Sequence, residues 1–255
     1  MVVPNEYDLG GKVAVVTGGS RGIGRAIATG LAEIGADVVI ASRKLETCET
    51  TALEIATQTG RRTLPISCHV GRWEDCDRLV ESVYAEFGRC DVLVNNAGMS
   101  PLYEGLPSVT EDYYDKVHGV NARGPFRLSV LFGTRMAAGD GGSIVNVSTG
   151  GSLRPMPDDL PYCMAKAALN ALTLGLAGAW SPKVRANLLL PGAFDTDIMK
   201  AWTPEMVELA TRSNPMKRVG RPQDMVGICQ LLASDAGSYI NGAQILVDGG
   251  AYRTL

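Results

Sequence analysis

Tyr162 and Lys166 lie four residues apart in an alanine-rich stretch that favours a helix. One helical turn separates them, so the phenol and the ammonium group project from the same face. A lysine cation beside a tyrosine favours the phenolate, and we expect it to lower the tyrosine pKa from about 10 by roughly three units. Such a tyrosine could transfer a proton near neutral pH. Because the chain has eight tyrosines, this short spacing also arises readily by chance, and its interpretation depends on the residues around it.

A glycine-rich segment, TGGSRGIG at residues 17–24, joins a predicted strand to a predicted helix. Gly18 permits a tight exit from the strand, Gly22 lets backbone approach a pyrophosphate, and Gly24 lets the helix pack close to the sheet. The amino terminus of the helix then presents free N–H groups and the positive end of its dipole to the phosphates. The segment predicts a dinucleotide site, with a plain strand-to-helix connection as the alternative.

The residues after the second predicted strand indicate which nucleotide binds. A carboxylate at this point would bind the ribose 2′-hydroxyl, but this chain has Ser42 and Arg43. An arginine suits a 2′-phosphate, and Arg21 in the glycine turn can approach the same group. We therefore favour NADP(H) over NAD(H). The alternative is that both arginines are solvated surface charges.

Strand and helix patterns alternate along the chain. Short apolar runs typical of buried strands occur at 12–17, 37–41, 62–67, 91–94, 143–147, 184–190 and 244–248. Helical patterns occupy 23–34, 45–59, 73–87, 111–136 and the stretch that carries Tyr162. The alternation predicts one α/β domain over 1–255, a Rossmann-type doubly wound parallel sheet of about seven strands with helices on both faces. Two irregular segments, near 150–161 and 193–217, are the candidate substrate loops.

Composition excludes several classes of function. The chain has 255 residues, a net charge of −3 and 45% hydrophobic residues, so neither nucleic acid nor an anionic membrane is an expected partner. The amino terminus has no signal-peptide pattern, and no apolar run approaches the ~18 residues of a membrane span. We expect a cytoplasmic protein.

The cysteines form neither a Cys-x-x-Cys motif nor a metal-ligand cluster with the two histidines, so no metal is expected. The six cysteines are predicted to be free thiols in a reducing compartment. Cys163, next to Tyr162, is interpreted as a small packed residue, with a reactive thiol as the alternative.

With these residues in view, the chain resembles the short-chain dehydrogenase/reductase family, in its compact single-domain branch, from about residue 11 to 250. The motifs that carry the resemblance are, in chain order, the glycine turn at 17–24, Asn95-Asn96-Ala97-Gly98, Asn121, Ser148, Tyr162 with Lys166, and Pro191-Gly192 with Thr196. Asn241-Gly242 and Asp248-Gly249-Gly250 resemble the carboxyl-terminal strand of the family.

The resemblance implies roles for these residues. The four catalytic residues would be Asn121, Ser148, Tyr162 and Lys166. Ser148 would hold the substrate oxygen, Tyr162 would transfer the proton, Lys166 would also bind the nicotinamide ribose, and Asn121 would hold a water molecule. The expected cofactor-binding residues are Gly18, Ser20, Arg21, Gly22, Ile23, Gly24, Ser42, Arg43, Asn95, Ala97, Gly98, Tyr162, Lys166, Pro191, Gly192 and Thr196. Relatives of this size usually form homotetramers.

Two features depart from the family pattern. Many relatives carry an aspartate after the third strand to contact adenine, and His69 occupies this place here. His69 either contacts the adenine or is a surface residue without a role. The stretch from Ser148 to Tyr162 is also slightly longer than is common, which affects the expected shape of the substrate pocket.

Apolar residues in the second candidate loop constrain the substrate weakly. Met199, Trp202, Met206 and Leu209 recur at helical spacing and either pack on their own domain or face the nicotinamide. In the second case Phe194, Met99, Leu102 and Met156 would complete a lipophilic pocket, although Asp195 and Asp197 weaken that inference.

The leading hypothesis is an NADP(H)-dependent oxidoreductase of the 3-oxoacyl-thioester reductase type. The alternatives are the same chemistry on a steroid, a sugar or another secondary alcohol, and, more remotely, a non-catalytic NADP-binding regulator.

Overall fold

The computed structural model describes residues 5–197, 199 and 202–253. Residues 198, 200 and 201 of the second candidate loop therefore lie outside the described part. Seven parallel strands form one sheet: β1 (Val13–Thr17), β2 (Asp37–Ser42), β3 (Thr63–Ser67), β4 (Val92–Asn95), β5 (Gly142–Val147), β6 (Val184–Pro191) and β7 (Gln244–Val247). Their order is β3-β2-β1-β4-β5-β6-β7. This arrangement confirms the predicted Rossmann-type sheet.

Helices cover both faces of the sheet. They are α1 (Gly22–Glu33), α2 (Leu45–Thr59), α3 (Trp73–Phe87), α4 (Glu111–His118), α5 (Gly124–Ala138), α6 (Leu160–Ala179), α7 (Pro204–Ser213) and α8 (Val226–Ala233). Alternate residues of a strand point to opposite faces. In β1, Ala14 and Val16 pack with α1 and α8, whereas Val13 and Val15 pack with α3 and α5. The strands read as continuous apolar runs because both faces are buried.

The structure differs from the predicted elements in three places. The helix expected over 111–136 is interrupted by a π-helical turn, Gly119–Arg123, between α4 and α5. Helix α8 had no predicted counterpart. Helix α7 lies inside the second candidate loop, whose apolar spacing did indicate helical structure.

All six cysteines are buried and free. Among the described residues, no helix is both long enough and apolar enough to cross a lipid bilayer.

The ring of Trp180 leaves no space for a side chain at Gly133 in α5. A Cβ atom added at Gly133 would lie 2.2 Å from Cζ3 of Trp180, too close for the ring to stay in place. We predict that Gly133→Ala lowers the free energy of unfolding by about 1–3 kcal/mol, despite the better helix propensity of alanine. Urea denaturation followed by circular dichroism measures the change.

Gly227 in α8 is the matched control for this substitution. A Cβ atom there would meet nothing within 4 Å. Gly227→Ala should leave stability unchanged or raise it by up to about 1 kcal/mol. Equal destabilisation by the two substitutions would contradict the packing argument.

Candidate active site

A cleft of about 520 Å³ opens along the carboxyl edge of the sheet. It extends from the glycine turn after β1 to the residues that follow β5 and β6, where parallel α/β sheets bind ligands. The predicted site residues that line it are Gly18, Arg21, Gly22, Ile23, Gly24, Ser42, Arg43, Ala97, Gly98, Ser148, Tyr162, Lys166, Pro191, Gly192 and Thr196. The structure thus brings predicted cofactor-binding residues and predicted catalytic residues into one cavity.

The glycine turn at residues 17–24 lies at one end of the cleft, and its backbone packs too closely to accept larger residues at some positions. Gly18 and Gly22 have φ values of +64° and +52°, which favour glycine. A Cβ atom on Gly24 would lie 2.2 Å from the carbonyl oxygen of Gly18. Helix α1 begins beside this turn, and the side chain of its N-cap residue, Arg21, makes no capping hydrogen bond. The first-turn N–H groups can therefore bind an anion, and the cradle fits a pyrophosphate.

Asn96 ties the glycine turn to the end of β4. Its Nδ2 donates to the carbonyl oxygens of Thr17, at 2.9 Å, and Gly18, at 3.3 Å. The hydroxyl of Thr17 accepts from the backbone N–H groups of Asn96 and Ala97, both at 3.1 Å. Sequence reasoning included Asn96 in a motif but gave it no contact. These bonds hold the two neighbouring strand ends in one rigid arrangement.

Arg43 and Arg21 differ in what surrounds their guanidinium groups. Arg43 is exposed and lines the cleft next to Ser42, at the end of β2. Arg21 also lines the cleft, but its Nη1 lies 2.8 Å from Oδ2 of Asp197. This carboxylate competes with a phosphate for Arg21, so Arg43 is the better placed of the two for a 2′-phosphate.

His69 lines the cleft on the side of β3. Its Nδ1 accepts a hydrogen bond of 3.2 Å from the backbone of Gly71, and its own backbone N–H donates to Asp75 at 2.9 Å. With Nδ1 acting as an acceptor, Nε2 carries the proton of the neutral ring. The side chain is fixed at the cleft wall, although its contact with adenine remains a prediction.

Three predicted residues do not line the cleft: Ser20, Asn95 and Asn121. Asn95 is only 1% exposed and donates from Nδ2 to Ser129 and to Asn146, inside the sheet. Asn95 follows the alternation of β4 into the core, and Asn96 takes the position beside the turn. The structure therefore places Asn95 as a support beneath the site, away from the cofactor-facing wall.

Asn121 lies in the π-helical turn and is fully buried. Its Nδ2 donates to the carbonyl oxygens of Val117 and Met99, at 2.9 and 2.8 Å. The Oδ1 atom accepts from the N–H of Met99 at 3.3 Å. A Cβ atom added to Gly98 would lie 3.1 Å from this Oδ1 and 3.6 Å from Nζ of Lys166. Glycine at position 98 therefore keeps open the space between Asn121 and Lys166.

Ser148, Tyr162 and Lys166 lie together at the other end of the cleft. Lys166 Nζ is 5.8 Å from the centre of the Tyr162 ring and donates to the carbonyl oxygen of Val147 at 2.7 Å. The hydroxyl of Ser148, which follows β5, donates to Oδ1 of Asn170 at 2.6 Å. Sequence reasoning missed Asn170. Its position four residues after Lys166, on the same helical face, was the available signal.

The pKa of Tyr162 is raised above its ordinary value of about 10, and burial is the main cause. Burial also lowers the pKa of Lys166 from 10.5 to about 7, because it removes the water that would stabilise the charged ammonium group. The lowered tyrosine pKa expected from the sequence is therefore wrong for this arrangement. At neutral pH Tyr162 keeps its proton and can act as a donor, while Lys166 exchanges protons readily.

The thiol of Cys163 is buried and lies 3.1 Å from Oδ1 of Asp159. Burial raises its pKa to about 12. A thiol that stays protonated is a poor nucleophile, so the packed-residue interpretation is the better one.

Both candidate loops contribute to the wall of the cleft. Its apolar side chains are Met99, Leu102, Met156, Phe194, Met199, Trp202 and Met206, and its acidic ones include Asp158 and Asp159. Of the apolar series predicted from Met199 to Leu209, only the residues up to Met206 face the cleft, since Leu209 is 58% exposed. The first loop is tied to Tyr103, whose hydroxyl donates to the carbonyl oxygen of Pro157 and accepts from the N–H of Leu160.

Comparison with known proteins decides the family. The family model described as enoyl-(acyl carrier protein) reductase matches residues 18–252. Pig "Dehydrogenase/reductase SDR family member 4" is 36% identical over 99% of this chain and 91% of its own length. The chain belongs to the short-chain dehydrogenase/reductase family. Another member, "Short chain dehydrogenase/reductase astE" of Aspergillus oryzae, is 38% identical over 96% of both chains.

Solved structures of short-chain dehydrogenase/reductases agree with this assignment. A gluconate 5-dehydrogenase from Burkholderia cenocepacia, in complex with NADP and tartrate, has a TM-score of 0.93 and 30% identity, covering 98% of this chain and 99% of the other. An NADPH-dependent 3-quinuclidinone reductase from Rhodotorula rubra has a TM-score of 0.91 and 28% identity, covering 98% and 96%. As a member of the family, the chain is an oxidoreductase for alcohol and carbonyl groups.

The buried lysine of this short-chain dehydrogenase/reductase should make stability depend on pH. Because the folded pKa of Lys166, about 7, lies below the ordinary 10.5, the folded state binds fewer protons between these values and its stability rises with pH across that window. We predict that Lys166→Met raises the melting temperature relative to wild type by several degrees at pH 6.5, and that the gain shrinks towards pH 9.5. Thermal denaturation at the two pH values measures it.

Lys116 provides the control, since it is exposed and pairs with Asp112 on the surface of α4. Lys116→Met should change the melting temperature little at either pH. A gain for Lys166→Met that is the same at both pH values would contradict the low pKa.

Proposed function

We propose that this chain is an NADP(H)-dependent oxidoreductase that interconverts an apolar ketone and its secondary alcohol, with a 3-oxoacyl thioester as the leading substrate. The observation that carries the proposal is the continuity of the cleft. A single cavity joins the anion-binding turn at Gly18 and Gly22 to the hydroxyl groups of Ser148 and Tyr162. A dinucleotide that spans this distance brings its nicotinamide to the two hydroxyls.

The polar side chains at the inner end of the cleft, the end that holds Ser148, Tyr162 and Lys166, each have a role in this proposal. When bound, the nicotinamide supplies or accepts the hydride. Ser148 donates a hydrogen bond to the substrate oxygen, and Tyr162, protonated at neutral pH, gives its proton to the developing alkoxide. Lys166, with its pKa near 7, binds the ribose and returns a proton to Tyr162. Asn121 holds a water molecule beside Lys166.

The wall of the cleft supports an apolar substrate. Met99, Met199 and Trp202 offer polarizable, adaptable surface to a hydrocarbon chain or ring. The carboxylates of Asp158 and Asp159 line the same cavity and would repel a substrate carboxylate. These groups favour a neutral acyl thioester or a bulky ketone over a sugar acid.

A homotetramer in the cytoplasm is part of the same proposal. Exposed apolar side chains on α5 and α6, among them Phe126, Met164 and Leu174, are compatible with contacts between subunits. The free buried thiols are compatible with a reducing compartment.

Tyr162→Phe tests the proposed chemistry. The substitution removes the proton donor and keeps the ring, so we expect the rate of NADPH oxidation to fall at least a hundredfold, with a much smaller change in the KM for NADPH. The assay follows NADPH oxidation with an acetoacetyl thioester and a panel of aliphatic and aromatic ketones, and the reverse reaction, NADP+ reduction, with gluconate as the sugar-acid comparison.

Tyr239→Phe is the control, because this side chain is fully exposed and is not among the residues that line the cleft. Loss of less than threefold on Tyr162→Phe would refute the mechanism. Turnover of ketones with no turnover of any thioester would refute the leading substrate and leave the reaction class standing.

Arg43→Leu tests the choice of nucleotide. If Arg43 binds the 2′-phosphate, its loss should weaken NADPH binding at least tenfold and leave NADH binding unchanged. Isothermal calorimetry with each nucleotide measures both constants. Arg25→Leu is the control, since Arg25 is paired with Glu54 at 2.6 Å on the surface. Wild-type binding of NADH tenfold tighter than NADPH would refute the assignment.

A further inference from the structure

We propose that Asn170 is a positioning residue for Ser148, holding its hydroxyl group at the reacting end of the cleft and controlling where its proton points. The proposal rests on the function proposed above, in which Ser148 donates to the substrate oxygen. Asn170 itself does not line the cleft among the residues that the structure describes, so it acts through Ser148.

The contacts single out Asn170 among the partners of Ser148. The Ser148 hydroxyl lies 2.6 Å from Oδ1 of Asn170, and 3.3 Å from both the carbonyl oxygen of Lys166 and Oγ of Ser152. A hydroxyl has a single proton, and the shortest bond takes it. Asn170 is thus the dominant partner of Ser148.

Asn170 is held in turn by a chain of hydrogen bonds. Its Nδ2 donates to Oγ of Ser152 at 2.8 Å, and the hydroxyl of Ser152 donates to the carbonyl oxygen of Thr149 at 2.6 Å. Asn170 is only 7% exposed, so its amide has little access to water. A buried amide bonded at both ends is held in place, and any state that left either end unbonded would leave an unsatisfied polar atom.

The direction of these hydrogen bonds, from donor to acceptor, decides whether Ser148 can donate to a substrate. In the arrangement described, the Ser148 proton points at Asn170, which leaves the Ser148 oxygen as an acceptor. A half-turn of the amide about its last side-chain bond exchanges Oδ1 with Nδ2. Nδ2 then donates to Ser148, Oδ1 accepts from Ser152, and the Ser148 proton is free for a substrate oxygen. An asparagine can hold Ser148 in both states, because it carries a donor and an acceptor.

A double-mutant cycle measures whether Asn170 acts through Ser148. We expect Asn170→Leu to lower kcat at least tenfold, with the KM for NADPH unchanged, in the otherwise wild-type enzyme. In a Ser148→Ala background the same substitution should change kcat less than twofold, since the group that it positions is gone. Equal losses in both backgrounds, or no loss in the first, would overturn the proposal.

Leu176→Ala is the control on the same helix. Leu176 is also buried, but it packs in the same apolar core as Leu128 and Phe132 of α5 and belongs to none of these hydrogen-bond networks. This substitution should lower the melting temperature without a comparable loss of kcat. The comparison separates positioning of Ser148 from general damage to α6.

Asn170→Asp tests the donor and acceptor requirement in a side chain of the same shape. A protonated aspartic acid both donates and accepts, as asparagine does, whereas the carboxylate only accepts and keeps the Ser148 proton away from the substrate. We expect kcat of this variant to fall as pH rises through the titration of the new carboxyl group, on a limb absent from the wild-type profile. A profile that matches wild type in shape would overturn the proposal.

Crystal structures of the wild type and of Asn170→Leu test the positioning without any turnover. The Ser148 hydroxyl should leave its wild-type rotamer when Asn170 is lost. If it stays in place, the proposal fails even though the enzyme is active. If it moves but no carbonyl compound is reduced by the wild type, the proposed function fails while the positioning by Asn170 stands.

Discussion

The hydroxyl of Thr17 joins the two strand ends on which the cleft depends. It donates to the carbonyl oxygen of Val94 at 3.3 Å and accepts from the backbone of Asn96 and Ala97. Asn96 reinforces the same junction from the other side, through the carbonyl oxygens of Thr17 and Gly18. Because these bonds are local and shielded from water, they hold the glycine turn at a constant distance from the segment that borders the inner end of the cleft. This junction adds side-chain hydrogen bonds to the backbone pairing that already joins β1 to β4.

A second polar network connects the sheet to the helix that carries Tyr162. Asn95 bonds to Ser129 and Asn146, and Asn146 donates to Thr173 of α6 at 2.8 Å. Apolar contacts are non-directional, so they specify the position of α6 along the sheet less sharply than hydrogen bonds do. Directed hydrogen bonds in the core select one position along the helix axis. The spacing of the reacting side chains therefore depends on amides that never touch the cleft.

Much of this architecture could be predicted from the residues, for identifiable physical reasons. The strands are buried on both faces and therefore appear as continuous apolar runs, and the Gly18 turn needs backbone conformations that other residues avoid. The π-helical turn around Asn121 could not be predicted from periodicity, since one extra residue barely alters a helical pattern. The placement of Asn95 and Asn96 depended on the alternation along β4. The pKa of Tyr162 depended on burial, which four residues of sequence do not reveal.

The buried thiols are protected in the folded protein and become reactive when it unfolds. In the folded state Cys48, Cys90 and Cys229 are enclosed by apolar side chains, and burial raises the pKa of each thiol. Unfolding exposes all six cysteines at once to oxygen and to one another. Without a reductant we therefore expect random disulfides to form and to block refolding, so that the rate of unfolding, and not the equilibrium stability, governs the shelf life of the protein.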